Sequence, residues 1–407
     1  MRLLNTLPAG AMRPGVAFSP PLPMLATQRM AAPQMQMELV DTILPGTDML
    51  LAFSDQGSNL AGQFFQASLL PYLGFLYFMS YPKNRTPNTA NFGFQFLLLF
   101  VLSTVATGIV TKTVYSSSLA NVDWLHGAAE MLLTCSNIYV GLGFRSAVAN
   151  PLPEGSSPPA VNRLPAYVLA AAVVALAAAG PSIGLNAHDP FLLGLGNLPP
   201  EALQGVTLLP EPENALSLPT WLVHYSSVFE WLFAMSMVWQ YAETTGNPRW
   251  RGLTWGMLPL HASGVAACTY HFFFNAPDLA FLVTLQAFLT LLGNTTVAIA
   301  ACRIALSNGW GLKDLIPPPL RGEDADADSN AAQAPAMKGK SVQPLPLLIV
   351  EIALITAVAS YGTKYGELLV NLPFEANPFL AAAMCAGIPA LVANSYASGD
   401  RKEAEKA

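Results

Sequence analysis

Apolar positions along this chain fall in long continuous runs rather than in alternation. A helix needs about 20 largely apolar residues to cross a hydrocarbon core about 30 Å thick, at a rise of 1.5 Å per residue. Nine runs meet or approach that length, near 60–80, 92–112, 124–144, 164–184, 219–241, 253–274, 278–306, 344–362 and 374–395. The fourth is the weakest, being Ala-rich and bracketed by Pro165 and Pro181. Barrel strands would alternate lipid-facing and lumen-facing residues, and these runs do not. The pattern therefore predicts an all-α fold: a polytopic integral membrane helical bundle of about nine transmembrane helices. Two polar connections, 185–218 and 311–343, divide it into a four-helix unit (50–184), a three-helix unit (219–310) and a two-helix tail (344–395) with a charged end (396–407). The second connection, rich in Pro and acids, reads as a disordered linker.

Composition agrees with lipid as the solvent. Of the 407 residues 53% are hydrophobic and 11% charged, with a mean hydropathy of +0.41, where soluble proteins carry about a quarter charged residues. The net charge of −6 and the scattered basic residues exclude the basic stripe that nucleic acid requires. Cys135, Cys268, Cys302 and Cys385 lie singly in apolar runs with no CxxC spacing, so neither a disulfide framework nor a cysteine zinc site is expected.

Charge placement gives an orientation. If nine helices alternate, one side receives 14 of the 19 Lys and Arg, including Lys83, Arg145, Arg249, Arg303 and Arg401, while the other receives Lys112 and Lys364. This is the positive-inside pattern, and a wrong helix count in the middle would scramble it. The C-terminus is then expected on the basic side. Residues 1–37 hold Arg2, Arg13 and Arg29 and no acid, a composition resembling an organelle transit peptide.

Ionisable residues inside apolar spans are costly and mark candidate sites. His126, Glu130, Glu230, His261 and Glu351 are such residues, with Gln286 and Asn294 as polar neighbours on the seventh span. His126 and Glu130 are four apart and share a helix face, as a proton relay, a ligand pair, or an interhelical hydrogen bond. His224 and His271 are candidate haem or metal ligands. The layout puts them, with His126, roughly 3–8 Å below the boundary opposite the basic side, and Glu230, His261 and Gln286 at one greater depth. Gly252, Gly256 and Gly264 form a small-residue stripe expected to serve packing. No catalytic residues, resident metal or cofactor follow from motifs, since GxSxG, HExxH, Walker and dinucleotide-binding patterns are absent in useful context.

The segments LSLPTWLVHYSSVFEW (216–231), GNPRWRGLTWGMLPLHASGVAACTYHFFFN (246–275) and LVTLQAFLTLLGN (282–294) resemble the Ycf49-like membrane proteins of cyanobacteria and plastids over about 214–310. Trp221, His224, Glu230, Trp255, His271 and Asn294 all fall in the match. LPYLGFL (70–76) and SSLANVDWLHGAAEMLLTCSNIYVGLGFR (117–145) resemble a second membrane family of the same lineage over about 50–148. The resemblance implies a fusion of two units that cyanobacteria encode separately, in a chloroplast membrane (thylakoid or inner envelope) with the C-terminus stromal. Neither family brings a mechanism. Three function classes stay open. The first is a non-enzymatic assembly, maintenance or scaffold factor among photosynthetic membrane proteins, the class the missing catalytic motifs favour. The others are a proton-coupled transporter and a haem- or quinone-binding redox protein.

Overall fold

A computed structural model describes residues 60–153, 156–157, 159–315, 337–369 and 376–404. The proposed transit peptide and most of the acidic linker lie outside the described residues. Those described are helical, without strands: α1 (Leu60–Met79), α2 (Asn88–Tyr115), α3 (Asp123–Ala149), α4 (Leu164–Ala179), α5 (Leu218–Thr245), α6 (Arg249–Phe272), α7 (Phe281–Ser307), α8 (Leu345–Leu369) and α9 (Pro378–Ala404), with short 3-10 turns between some of them.

Each predicted run overlaps one of these helices, most of which extend beyond it, but composition separates them. Four are long and apolar enough to cross a membrane: α2, α7 with its preceding turn, α8, and α9 as far as Gly399. α4 ends at Ala179, ahead of Pro181 and short of the expected 184, so its 16 residues span only about 24 Å. α3, α5 and α6 carry the polar residues of interest, including Asp123, His126, Glu130, Asn137, His224, Glu230, His261 and His271, and these depress their hydropathy. The same residues are buried or partly buried in the bundle.

Pairwise contacts set the relative directions of α1, α2, α3, α5, α6 and α7. Ser136 of α3 donates to the Gly93 carbonyl of α2 at 2.7 Å, while Gly143 lies against Ala90, so these two run antiparallel. α5 and α6 are antiparallel, through Trp231 Nε1 to the Met257 carbonyl (3.2 Å) and Thr254 to the Met235 carbonyl (3.2 Å). So are α6 and α7, through Thr296 to the Gly256 carbonyl (2.8 Å) and Ser263 to the Gln286 carbonyl (3.0 Å). α3 and α5 instead run parallel, joined by Thr134 to the Val223 carbonyl (3.3 Å) and Asn137 to Ser227 (3.0 Å). α1 and α7 are also parallel: the Phe64 and Phe288 rings meet at 5.7 Å, Asn294 donates to the Ser68 carbonyl at 3.1 Å, and the Phe78 and Trp310 rings meet at 5.2 Å. Strict alternation along the chain requires this set of senses.

The core lies among α1, α2, α3, α5, α6 and α7, where Phe75, Phe94, Phe144, Tyr241 and Trp250 are buried together. Backbone approach makes this possible: a Cβ on Gly143 would stand 2.3 Å from the Ala90 nitrogen. The small-residue stripe of α6 is only partly a packing device. Gly256 abuts the Thr296 backbone, a Cβ on Gly264 would meet only a Val228 methyl at 3.7 Å, and one on Gly252 would meet nothing within 4 Å. Large apolar side chains on the outer helices point away from the protein, with Val358 65% and Leu391 73% exposed.

Candidate functional site

Three histidines converge where α3 and α5 begin and α6 ends. The imidazoles of His126 and His224 are 4.8 Å apart, His126 and His271 4.8 Å, and His224 and His271 4.9 Å, centroid to centroid. All three are buried, and one ligating atom from each lies within 4.8 Å of the others.

Local sequence explains how each arrives there. Asp123 opens α3, and its carboxylate accepts the amide of Phe191 (2.8 Å) and the amide of Ser217 (3.0 Å). Ser217 caps α5, with Pro219 in its first turn, so one carboxylate sets the starts of α3 and α5 side by side. Gly127 completes the approach: a Cβ there would meet the Phe191 ring at 2.5 Å and the Thr220 hydroxyl at 2.7 Å. α6 stops just past His271, where Phe274 and Asn275 adopt left-handed conformations (φ 51° and 55°). This turn carries Asn275 back over the last helical turn.

Asn275 fixes the state of His271. Its Nδ2 donates to the Ala120 carbonyl at 2.9 Å and to Asn121 Oδ1 at 2.7 Å, which orients the amide. The atom 2.8 Å from His271 Nδ1 is therefore Oδ1, an acceptor, so Nδ1 carries the proton and Nε2 keeps a lone pair. This is the outer-shell arrangement found behind metal-ligating histidines. In the other two rings, His126 Nδ1 and His224 Nε2 are buried with no hydrogen-bond partner. An unsatisfied buried polar atom costs about 1–3 kcal/mol, and a metal ion would satisfy both. Three neutral imidazoles suit Zn, Cu, Fe or Ni, and three protein ligands leave a coordination position open. A tetrahedral ion with bonds of about 2.0–2.1 Å holds its nitrogens about 3.3–3.4 Å apart, so the rings would close in from the 4.8 Å within which their ligating atoms lie.

The structure distributes the remaining sequence candidates differently. His126 and Glu130 share a face, but no hydrogen bond joins them among the described residues; Glu130 sits partly buried one turn deeper. Glu230 receives a hydrogen bond from Ser226 at 2.6 Å, while its Oε2 is buried and unpartnered. Both ring nitrogens of His261 are likewise buried without partners. Among the described residues no hydrogen bond links Glu230, His261 and the Gln286 side chain. Asn294 is structural, tying α7 to α1 through Ser68. Glu351 is exposed and accepts from Gln343 at 2.7 Å, so it stands apart from the interior group. Sequence reasoning kept His126 apart from the His224 and His271 pair and did not single out Asn275 or Asp123. The equal depth of the three histidines was the available signal, and it says nothing about azimuth around the bundle.

The chain matches two families. Residues 61–149 match a family described as "Protein of unknown function (DUF3593)", and residues 215–303 one described as "Protein of unknown function (DUF2499)". His126 lies in the first segment; His224 and His271 lie in the second. A Ycf49-like protein of Synechocystis sp. is 54% identical over 88 residues, which are 22% of this chain and 85% of that protein. The uncharacterized protein ycf49 of Cyanophora paradoxa is 39% identical over 84 residues, 21% of this chain and 82% of its own. No solved structure matches. The two-part arrangement read from sequence is supported, with the Ycf49-like part in the second segment.

Proposed function

This chain belongs to the Ycf49-like family, and from that premise we propose that it is a multi-pass plastid membrane protein acting in the assembly or maintenance of photosynthetic membrane complexes. In this reading its two family segments are clamped together by a transition-metal ion held by His126, His224 and His271. One observation carries the proposal: a buried three-histidine cluster is completed only when the two segments pack against each other. Neither segment alone supplies three ligands. The alternating helix directions and the outward apolar surfaces support nine crossings, with the basic loops and the C-terminus on the stromal side and the metal near the opposite face. The cyanobacterial relative and the relative from Cyanophora support the plastid assignment.

A haem between His224 and His271 fits the site less well. The three rings are in mutual contact at 4.8–4.9 Å, leaving no plane between them for a macrocycle. Proton-coupled transport is the second reading. It rests on the unpartnered Glu230 Oε2 and His261 nitrogens inside the bundle.

The test is metal analysis of the full chain purified from native membranes without a metal-affinity tag, followed by titration of the stripped protein with Zn²⁺, Cu²⁺, Ni²⁺ and Fe²⁺. Near one ion per chain, lost in both His126→Ala and His224→Ala, is the expected result. A stripped protein that takes up none of the four ions sinks the metal clamp.

A further inference from the structure

At the basic end of the bundle a groove opens between α6 and α7. It is a cavity of about 470 Å³ lined by Arg249, Gly252, Trp255, Thr296, Ile299 and Arg303, among others, with no acidic residue in its lining. Arg249 is the first residue of α6 and Arg303 lies in the last turns of α7, so both line the groove at the same end of the two antiparallel helices. Its floor is open because residue 252 is glycine: a Cβ there would meet nothing within 4 Å. Ile299 is 56% exposed along the wall, and Trp255 is a partly buried aromatic at interfacial depth.

The two arginines differ from their neighbours. Arg85 donates to the Leu152 carbonyl, Arg145 to the Gln343 carbonyl, Arg163 lies over the Phe92 ring, and Arg251 pairs with Glu243. Neither Arg249 nor Arg303 has a side-chain hydrogen bond or ion pair among the described residues, and both are exposed. Two free guanidinium groups flanking a narrow apolar slot suit a molecule that is anionic at one end and hydrocarbon at the other. Guanidinium binds phosphate and sulfonate oxygens through paired donors. Basic clefts between helices on the positive-inside face are a known setting for anionic lipid headgroups.

We propose that this groove is a specific site for one anionic glycerolipid, its headgroup between Arg249 and Arg303 and its acyl chains running over Gly252 along Ile299. The site lies at the end of the bundle opposite the histidine cluster and does not depend on it. Binding there would make the packing of α6 on α7 sensitive to the anionic lipid content of the stromal leaflet.

Native mass spectrometry of the full chain in detergent tests this, with phosphatidylglycerol and phosphatidylcholine added in parallel. Wild type should retain one phosphatidylglycerol through collisional activation, with a preference over phosphatidylcholine on the order of tenfold. Arg249→Gln/Arg303→Gln should lose that preference. Gly252→Leu, which keeps both charges but fills the floor, should also lose the adduct, while Lys83→Gln should retain it. Helix content and gel-filtration position of each variant verify folding. Equal retention of the two lipids by wild type, or an unchanged phosphatidylglycerol adduct in the double variant, overturns the proposal. Displacement by millimolar inorganic phosphate also overturns it, because the occupant would then be a free anion rather than a lipid.

Discussion

The His126 imidazole touches that of His224 at 4.8 Å, and this contact joins two segments that match separate families. Because α3 and α5 are parallel neighbours, each residue lies in the opening turns of its own helix. Any ion held there bridges the segments, so metal affinity and the stability of their union are linked.

That linkage can be measured directly. A ligand at 100 times its dissociation constant stabilises a protein by about 2.7 kcal/mol. Thermal unfolding of the full chain in detergent should rise by several degrees when the ion is added. In His224→Ala the same addition should leave the midpoint unchanged, since two imidazoles remain where three are needed.

Asn275 is expected to tune the site without touching the ion. Removing an outer-shell partner typically weakens metal binding 10- to 100-fold. Asn275→Ala should show a loss of that size in a competition titration. Asn275→Asp keeps an acceptor facing His271 and the tolerance for a left-handed backbone, but sets its second oxygen against the Ala120 carbonyl and Asn121 Oδ1, two acceptors, and should recover only part of the affinity.

Helix contact at Gly143 makes a stability prediction independent of any ligand. A Cβ there would press within 2.3 Å of the Ala90 nitrogen, a backbone atom that cannot swing aside. Gly143→Ala should destabilise the bundle by about 1–3 kcal/mol. Gly362→Ala on α8 meets nothing within 4 Å and should be neutral or stabilising by about 0.5–1 kcal/mol, through helix propensity. Equal melting shifts in the two variants would contradict the packing described.

The connection between α4 and α5 is held down by α8. Lys364 bonds the Glu211 carboxylate and, at 2.7 Å, the Leu216 carbonyl. Leu209 donates to the Leu368 carbonyl at 2.9 Å and Leu198 to the Tyr365 hydroxyl at 2.8 Å. Lys364→Met removes the only cation in this clasp among the described residues, and Glu211 is open enough to turn to water. The expected cost is about 1 kcal/mol, since a partly exposed pair is screened. Limited chymotrypsin digestion should then cut within 195–209 several-fold faster, with the helices still intact.

Sidedness has its own test. In a cysteine-free background, single cysteines at Lys83 and Arg401 should react with an impermeant maleimide from one face of the membrane, and one at Ser117 from the other. Labelling of all three from the same face would break the alternation.

Much of this molecule was legible in one dimension. Continuous apolar runs announced that the described residues are helical and roughly where the helices lie, because a run of about 20 apolar residues with every backbone group satisfied within it forms a helix long enough to cross a membrane, a length and composition that four of the helices meet. The spread of basic residues gives an expected orientation, which the labelling experiment tests. The length of α4 was less legible, since Pro181 and the Gly180 turn cut the helix before the apolar run ends.

Which polar residues meet was not legible, because depth follows from sequence position but azimuth and neighbour order do not. Glu351 and His126 read alike as ionisable residues in apolar runs, yet one faces outward and the other closes a three-histidine cluster. That difference arises from α3 packing parallel to α5 rather than beside its sequence neighbour alone, from Asp123 bonding two distant amides at once, and from the left-handed turn that returns Asn275 to His271. Each depends on parts of the chain far apart in sequence. Side-chain chemistry at single positions was written along the chain, whereas their convergence belongs to the packed bundle alone.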